Sequence, residues 1–272
     1  MGNSFGNQEE ENNVSGDDIL EEEEIRPRIL SKAEHTEAVS KIMAHQIESK
    51  IIQSLKRKKA QLESEGKLNI KFDRIMLKFH SISKVMTHIK QVFSQFDSNH
   101  DMTLDENEFL QAAREMQVEL NKEELDDLFE VSDLTHGHSL TLKEFIVVLC
   151  ISNVLHAIPQ LEPSQSPKGE KGERRGSVLK EFGEQIRIAL DLIVTAYLLF
   201  DTPVNGYIDR NEVGQVFETE ISNQAHASHG FFTEERWNEM DVDGSGLISF
   251  EEFVYCFSNW VGMDEDEDED ET

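Results

Sequence analysis

The stretch 241–252, DVDGSGLISFEE, constrains what this chain can fold into more than any other. Side-chain oxygens fall at loop positions 1, 3, 5, 9 and 12, as Asp241, Asp243, Ser245, Ser249 and Glu252, and the Leu247 carbonyl stands at position 7. Such a set surrounds a hard divalent cation with oxygen, the final Glu giving two, which is the coordination that Ca2+ takes. The sharp turn at position 6 needs a positive φ, which Gly246 adopts without steric cost. Ile248 at position 8 is apolar and suits a short strand pairing between two loops of this kind. A helical pattern over 233–240 leads in and an apolar run over 253–260 leads out, so the context is helix, loop, helix. The plainer alternative is an acidic Gly-Ser turn.

The same spacing recurs three more times. At 97–108, DSNHDMTLDENE, every ligand position is filled: Asp97, Asn99, Asp101, the Thr103 carbonyl, Asp105 and Glu108. Met102 takes position 6, where positive φ strains a non-glycine residue by about 1–3 kcal/mol, so binding weaker than the ligand count is expected. At 133–144 the ends, Asp133 and Glu144, survive, but Gly137 stands at position 5 and Thr135 at position 3, so little calcium binding is expected. Leu140 keeps position 8 opposite Leu104. His136 and His138 make a poor zinc pair without further spaced ligands and are expected to be solvated. At 201–212, Asp201, Asn205, the Tyr207 carbonyl, Asp209 and Glu212 fill five positions with Gly206 at position 6, while Pro203 removes the ligand at position 3. That loop is expected to bind weakly or in competition with magnesium, and its Ile208 can pair with Ile248.

Around these loops the chain divides into an acidic, disordered start (1–30), an amphipathic helix with a basic end (31–66), a first pair of loops (81–158), a flexible linker (159–177), a second pair (178–262) and an acidic tail (263–272). Val39, Ile42, Met43, Ile47, Ile51 and Leu55 form one stripe of the first helix, and Lys56, Arg57, Lys58 and Lys59 close it. Residues 31–65 therefore resemble a built-in target peptide that docks on one of the protein's own halves; a packing or pairing helix is the alternative. The segment 70–79, IKFDRIMLKF, alternates apolar and basic residues and leads into a helix from about Ser81. The last helix, with Phe253, Tyr255, Cys256, Phe257 and Trp260, is apolar on more than one face, so it is either buried between halves or binds something.

A formal charge of −29 over 272 residues argues against nucleic acid and anionic membranes as partners and suits cations and basic amphipathic peptides. No secretory signal opens the chain, and Cys150 and Cys256 lie far apart in apolar runs, so reduced thiols in a cytoplasmic or nuclear protein are expected. Gly2 partly matches a myristoylation signal, with Gly6 where Ser or Thr is preferred; membrane association is expected only if Gly2 is acylated. Arg174, Arg175 and Ser177 offer a basophilic kinase a short phosphorylation motif. No phosphate-cradling Gly-rich loop, zinc spacing or nucleophile motif marks an enzyme.

Four helix-loop-helix repeats, paired in two halves, resemble the calmodulin superfamily of EF-hand proteins, and IKFDRIMLKF with EFIVVLC looks like its less typical plant members. The resemblance implies an all-α fold of two lobes with loop-loop strand pairs. It also implies a Ca2+ sensor without catalysis that opens a groove onto target proteins presenting amphipathic helices. A calcium buffer and a constitutive scaffold with structural calcium are the rival readings. Few methionines line the lobes, so fewer and more specific partners than calmodulin's are expected.

Overall fold

In a computed structural model the described residues are 46–68, 70, 72–161, 178–221 and 234–260. In chain order they form α1 (Gln46–Ser64), α2 (Phe72–Phe96), β1 (Thr103–Leu104), α3 (Glu106–Glu115), α4 (Lys122–Ser132), β2 (Leu140–Thr141) and α5 (Leu142–Val154). After a 3-10 turn (Pro159–Leu161) come α6 (Val178–Phe200), β3 (Tyr207–Ile208), α7 (Arg210–Ile221), α8 (Glu234–Met240), β4 (Ile248–Ser249) and α9 (Phe250–Trp260). The fold is helical, with paired helix-loop-helix hands in two lobes. β1 pairs antiparallel with β2, setting Leu104 opposite Leu140, and β3 with β4, setting Ile208 opposite Ile248. All four position-8 side chains are fully buried, so each strand pair pins two loops to the core beneath them.

Local sequence starts the helices. Asp105, Asn121 and Thr141 each accept a hydrogen bond from the amide three residues on, while Glu108, Glu124 and Glu144 reach back to the cap amide. In the first and second loops the cap and its Glu are positions 9 and 12, so two ligand positions also begin the exiting helix.

The lobes share one core. From Phe145 to Ile151 every residue of α5 is buried, because α1, α4, α6 and α9 all pack against it. A helix buried on all sides needs no polar face, which is why 145–151 is apolar throughout. α2 lies along α6, with the His88 and Phe182 rings stacked at 3.7 Å, and Phe93 meets Phe145 edge-on at 5.7 Å. Of the two roles expected for the last helix, burial is the one observed: α9 seats Phe253, Cys256 and Phe257 between the lobes. Both cysteines are free and buried, and burial raises both thiols, Cys256 to about 12. Asp191 of α6 joins three helices: it accepts from Lys58 of α1 (2.8 Å), Asn153 of α5 (3.1 Å) and Arg187 of its own helix (2.8 Å).

Three expectations change. The helix expected from Ser81 begins at Phe72, since Ile75 is buried while Arg74, Leu77 and Lys78 are exposed, a helical rather than alternating pattern. The flexible stretch expected from residue 159 opens instead with a packed 3-10 turn whose Leu161 is buried against α6. The halves, expected to be joined by a flexible linker, touch extensively through α2, α5, α6 and α9. Residues 1–45, 162–177, 222–233 and 261–272, with Gly2, Ser177, the first turns of the expected N-terminal helix and the acidic tail, lie outside the described residues.

Gly183 allows a close approach here: a Cβ there would stand 2.8 Å from the Gln160 carbonyl oxygen, which belongs to backbone and cannot swing away. Gly183→Ala should therefore destabilise the protein by about 1–3 kcal/mol, measured by urea unfolding in chelator, despite the better helix propensity of Ala.

Candidate metal centres

All four loops follow one backbone path. Position 4 is left-handed in each, at His100, His136, Val204 and Gly244 (φ 58, 55, 51 and 66°), and so is position 6, at Met102, His138, Gly206 and Gly246 (φ 68, 56, 98 and 81°). Five of these eight residues carry a β-carbon and three of the five are histidines, a type enriched in this conformation. The sequence reading noticed position 6 alone. The recurring His at position 4 was the signal that could have shown more: His136 and His138 are exposed, as expected of solvated histidines, but His100 and His136 are also backbone pivots.

The path is held by two carboxylates in every loop. The position-1 Asp accepts the position-6 amide: Asp97 from Met102 (3.1 Å), Asp133 from His138 (2.9 Å), Asp201 from Gly206 (3.1 Å) and Asp241 from Gly246 (2.9 Å). The position-12 Glu spans the loop. One oxygen takes the position-9 amide, at Asp105, Thr141, Asp209 or Ser249. The other takes an amide near the start, at Ser98, Thr135, Thr202 or Asp243.

The loops differ in what remains. In the first three, the second oxygen of the position-1 Asp accepts the position-5 amide, from Asp101 (3.2 Å), Gly137 (2.9 Å) and Asn205 (3.0 Å). In the fourth, the Ser245 amide turns to Asp243 (2.8 Å), and Asp241 Oδ1 is buried with no hydrogen-bond partner. A buried carboxylate oxygen without a donor is costly unless a cation faces it. Asp241, Asp243 and Glu252 bring one oxygen each within 4.8 Å of one another, the one such acidic group among the described residues. Burial, with the Asp243 and Asp241 charges adding to it, pushes Glu252 up to about 8 against its two backbone hydrogen bonds, and burial also raises Asp241. Three crowded carboxylates, two of them raised by burial and one lacking a donor, fit a divalent cation, whose charge would favour the ionised forms of Asp241 and Glu252. Ser245 Oγ contacts the Leu247 carbonyl at 3.2 Å, and Ser249 Oγ accepts the Glu252 amide at 3.1 Å, so the remaining oxygens lie on the same loop.

In the first loop the acids are less concentrated. Asp101 accepts from the Thr103 amide and hydroxyl, which hold its carboxyl below the usual range, and from Asn99 (2.8 Å). The second loop answers its own charge: the hydroxyls of Thr135 (2.9 Å) and Thr141 (2.8 Å) both donate to fully buried Glu144. Those oxygens are already occupied by the protein's own donors. In the third loop Asp201 is fully buried; burial raises it and pushes Glu212 up to about 7, with Asp209 and Asp201 contributing. Lys59 of α1 reaches this loop, a contact that loop spacing could not reveal. Its ammonium donates to the carbonyls of Leu198 (3.4 Å), Asp201 (3.2 Å) and Thr202 (2.7 Å), and burial lowers its pKa although the Asp201, Glu63 and Glu212 charges oppose the shift.

The model of an EF-hand domain pair matches residues 86–149, and an EF-hand model matches 238–254, the latter over the loop with the unpartnered Asp241 oxygen. These stretches are EF-hands of the calmodulin-like, Ca2+-binding kind. The chain is 27% identical over 233 residues to the Arabidopsis thaliana protein named "Probable calcium-binding protein CML21", covering 81% of this chain and 87% of that one. It is 26% identical over 197 residues to "Probable calcium-binding protein CML22" of the same plant, covering 72% and 80%. "Calcium-dependent protein kinase 9" of Oryza sativa subsp. japonica matches at 28% over 154 residues, 53% of this EF-hand chain but 25% of the kinase.

Two substitutions test the loop physics. Glu252→Gln removes the charge that spans the fourth loop and should weaken the tightest calcium step by on the order of a hundredfold in calorimetry. With it should go most of the stabilisation that 1 mM calcium gives a micromolar site, about 4 kcal/mol. Met102→Gly relieves a left-handed, exposed residue and should stabilise the metal-free protein by about 1 kcal/mol in urea unfolding, with tighter calcium binding at 97–108.

Proposed function

We propose that this protein is a calcium sensor that acts through 241–252 and 97–108 and regulates target proteins presenting amphipathic, basic helices. The observation that carries the reading is the fourth loop: an oxygen-lined turn with one carboxylate oxygen left without a donor, preformed in backbone but short of positive charge. A site so poised gains the most from calcium, and the strand pair to Ile208 would pass a change in the loop to its neighbour. The acidic balance of the chain favours basic targets. The work is binding without catalysis, since the acidic groups are spoken for by the loop geometry. No helix among the described residues is long and apolar enough to cross a membrane, and acylation of Gly2 would be the route to one.

One observation favours the scaffold reading. α5 and α9, helices that a sensor would move, are packed between the lobes rather than facing solvent. The two readings separate in one experiment: calcium is titrated by calorimetry with magnesium present while a hydrophobic dye is followed. A sensor gives dissociation constants on the order of 10⁻⁷–10⁻⁵ M and a rise in dye fluorescence over the same range. Tight binding with flat dye signal would select the buffer or scaffold.

A further inference from the structure

Helix α1 lies across the third loop at two points. Ile52 packs where Gly206 turns: a Cβ on Gly206 would stand 2.6 Å from Ile52 Cδ1 and 2.8 Å from its Cγ1. Two turns further along α1 stands Lys59, a buried residue whose ammonium is held by the carbonyls of Leu198, Asp201 and Thr202. Leu198 lies in the last turn of α6, where a helix leaves its last acceptors without partners and carries its negative pole, and Asp201 and Thr202 follow directly. Lys59 is thus a fixed cation where 201–212 begins, next to fully buried Asp201. The same helix is tied to the first lobe by Lys50 on Glu124 and to mid-α6 by Lys58 on Asp191 at 2.8 Å.

We propose that α1 and the third loop form a latch, in which seated α1 keeps 201–212 in a low-affinity form and a divalent cation entering that loop releases the helix. The inference rests on the calcium-sensor reading and gives it an internal occupant and a release step. Two features oppose a cation there while α1 is seated. The Lys59 charge repels it at short range in a poorly screened site. Ile52 against Gly206 hinders any adjustment of position 6, whose amide already binds Asp201 at 3.1 Å. Pro203 removes one ligand as the sequence shows, so the loop begins weak and the helix weakens it further. Coupling of this kind is reciprocal: whatever factor α1 takes from the calcium affinity of the loop, calcium takes from the docking of α1. Since α1 also contacts α4, α5 and α6, its release would uncover apolar surface on both lobes, which a basic amphipathic target helix could take over.

The test uses the full chain, labelled with ¹⁵N, and the amide resonances of Gly206 and Gly246 as separate reporters of the third and fourth loops during a calcium titration. In Lys59→Met, which keeps the buried stem and removes the charge, the Gly206 midpoint should fall by about tenfold or more while the Gly246 midpoint holds. In the unaltered chain, hydrogen exchange of the α1 amides should accelerate over the calcium range in which Gly206 titrates. A Gly206 midpoint within twofold of the unaltered protein, or α1 protection that survives Gly206 saturation, would overturn the latch. If Lys59→Met fails to fold, Lys59→Gln and the exchange experiment on the unaltered chain decide the matter. A silent Gly206 in both proteins beside a responsive Gly246 rejects the latch and leaves the sensor reading standing; silence of both removes the sensor reading and the latch with it.

Discussion

Each loop depends on one carboxylate gripping both of its ends. Glu108, Glu144, Glu212 and Glu252 all accept one amide near the start of the loop and another at position 9. That pair of bonds closes a turn containing two left-handed residues, fixes where the exiting helix starts and brings position 8 into register with the partner loop. The closure is made of the protein's own donors. Even 133–144, with a weak residue at position 3 and none at position 5, keeps the shape of a hand and pairs Leu140 with Leu104. A worn loop is therefore useful as structure: it holds the other half of the strand pair.

The loops differ in how completely their remaining oxygens are answered. Thr135 and Thr141 supply hydroxyl protons to Glu144, so the second loop has little left for a cation to improve. The fourth loop leaves Asp241 Oδ1 without a donor and crowds Asp243 and Glu252 beside it, so the same backbone holds unanswered negative charge. Between them, the first loop is fully furnished with ligands but strained at Met102 and His100, and the third is desolvated at Asp201 and approached by a lysine. One fold thus presents four different electrostatic environments.

Much of this was legible in the sequence because it is local. The hands, their position-8 pairs, the glycines at position 6 and the poor ligand set at 133–144 all follow from spacing within a dozen residues. Other features depend on partners distant in sequence, which a single chain read without its relatives does not display. Nothing near Asp191 announces that Lys58 and Asn153 will meet it, and nothing near Gly206 announces Ile52. The early start of α2 was obscured for a different reason: in 70–79 apolar residues stand on both of the faces that alternation would assign, and only packing decides that Ile75 is covered and Leu77 is not. Left-handed His100 and His136 were visible as residues but not as backbone, because a polar loop histidine is usually read for its ring.

If the protein acts as the proposed sensor, the junction between lobes limits how it can respond to calcium. In a molecule whose lobes are separate, each opens alone. Here α5, buried from Glu144 to Val154, touches α1, α4, α6 and α9, so tilting it would disturb both lobes together. Close-packed interiors move between discrete arrangements rather than deforming smoothly, which favours a response shared by the lobes over independent openings. α1 is the element best placed to divide that response into steps. Its apolar stripe of Ile47, Ile51, Leu55 and Leu62 is buried, yet it is held at the third loop largely by one ammonium on three carbonyls. Contacts of that kind weaken when charge nearby changes, whereas the aromatic packing of Tyr197 with Phe250 and Phe253 does not. The charge-sensitive fastening sits on the peripheral helix and the charge-insensitive packing sits in the centre, an order suited to releasing α1 before the core itself rearranges.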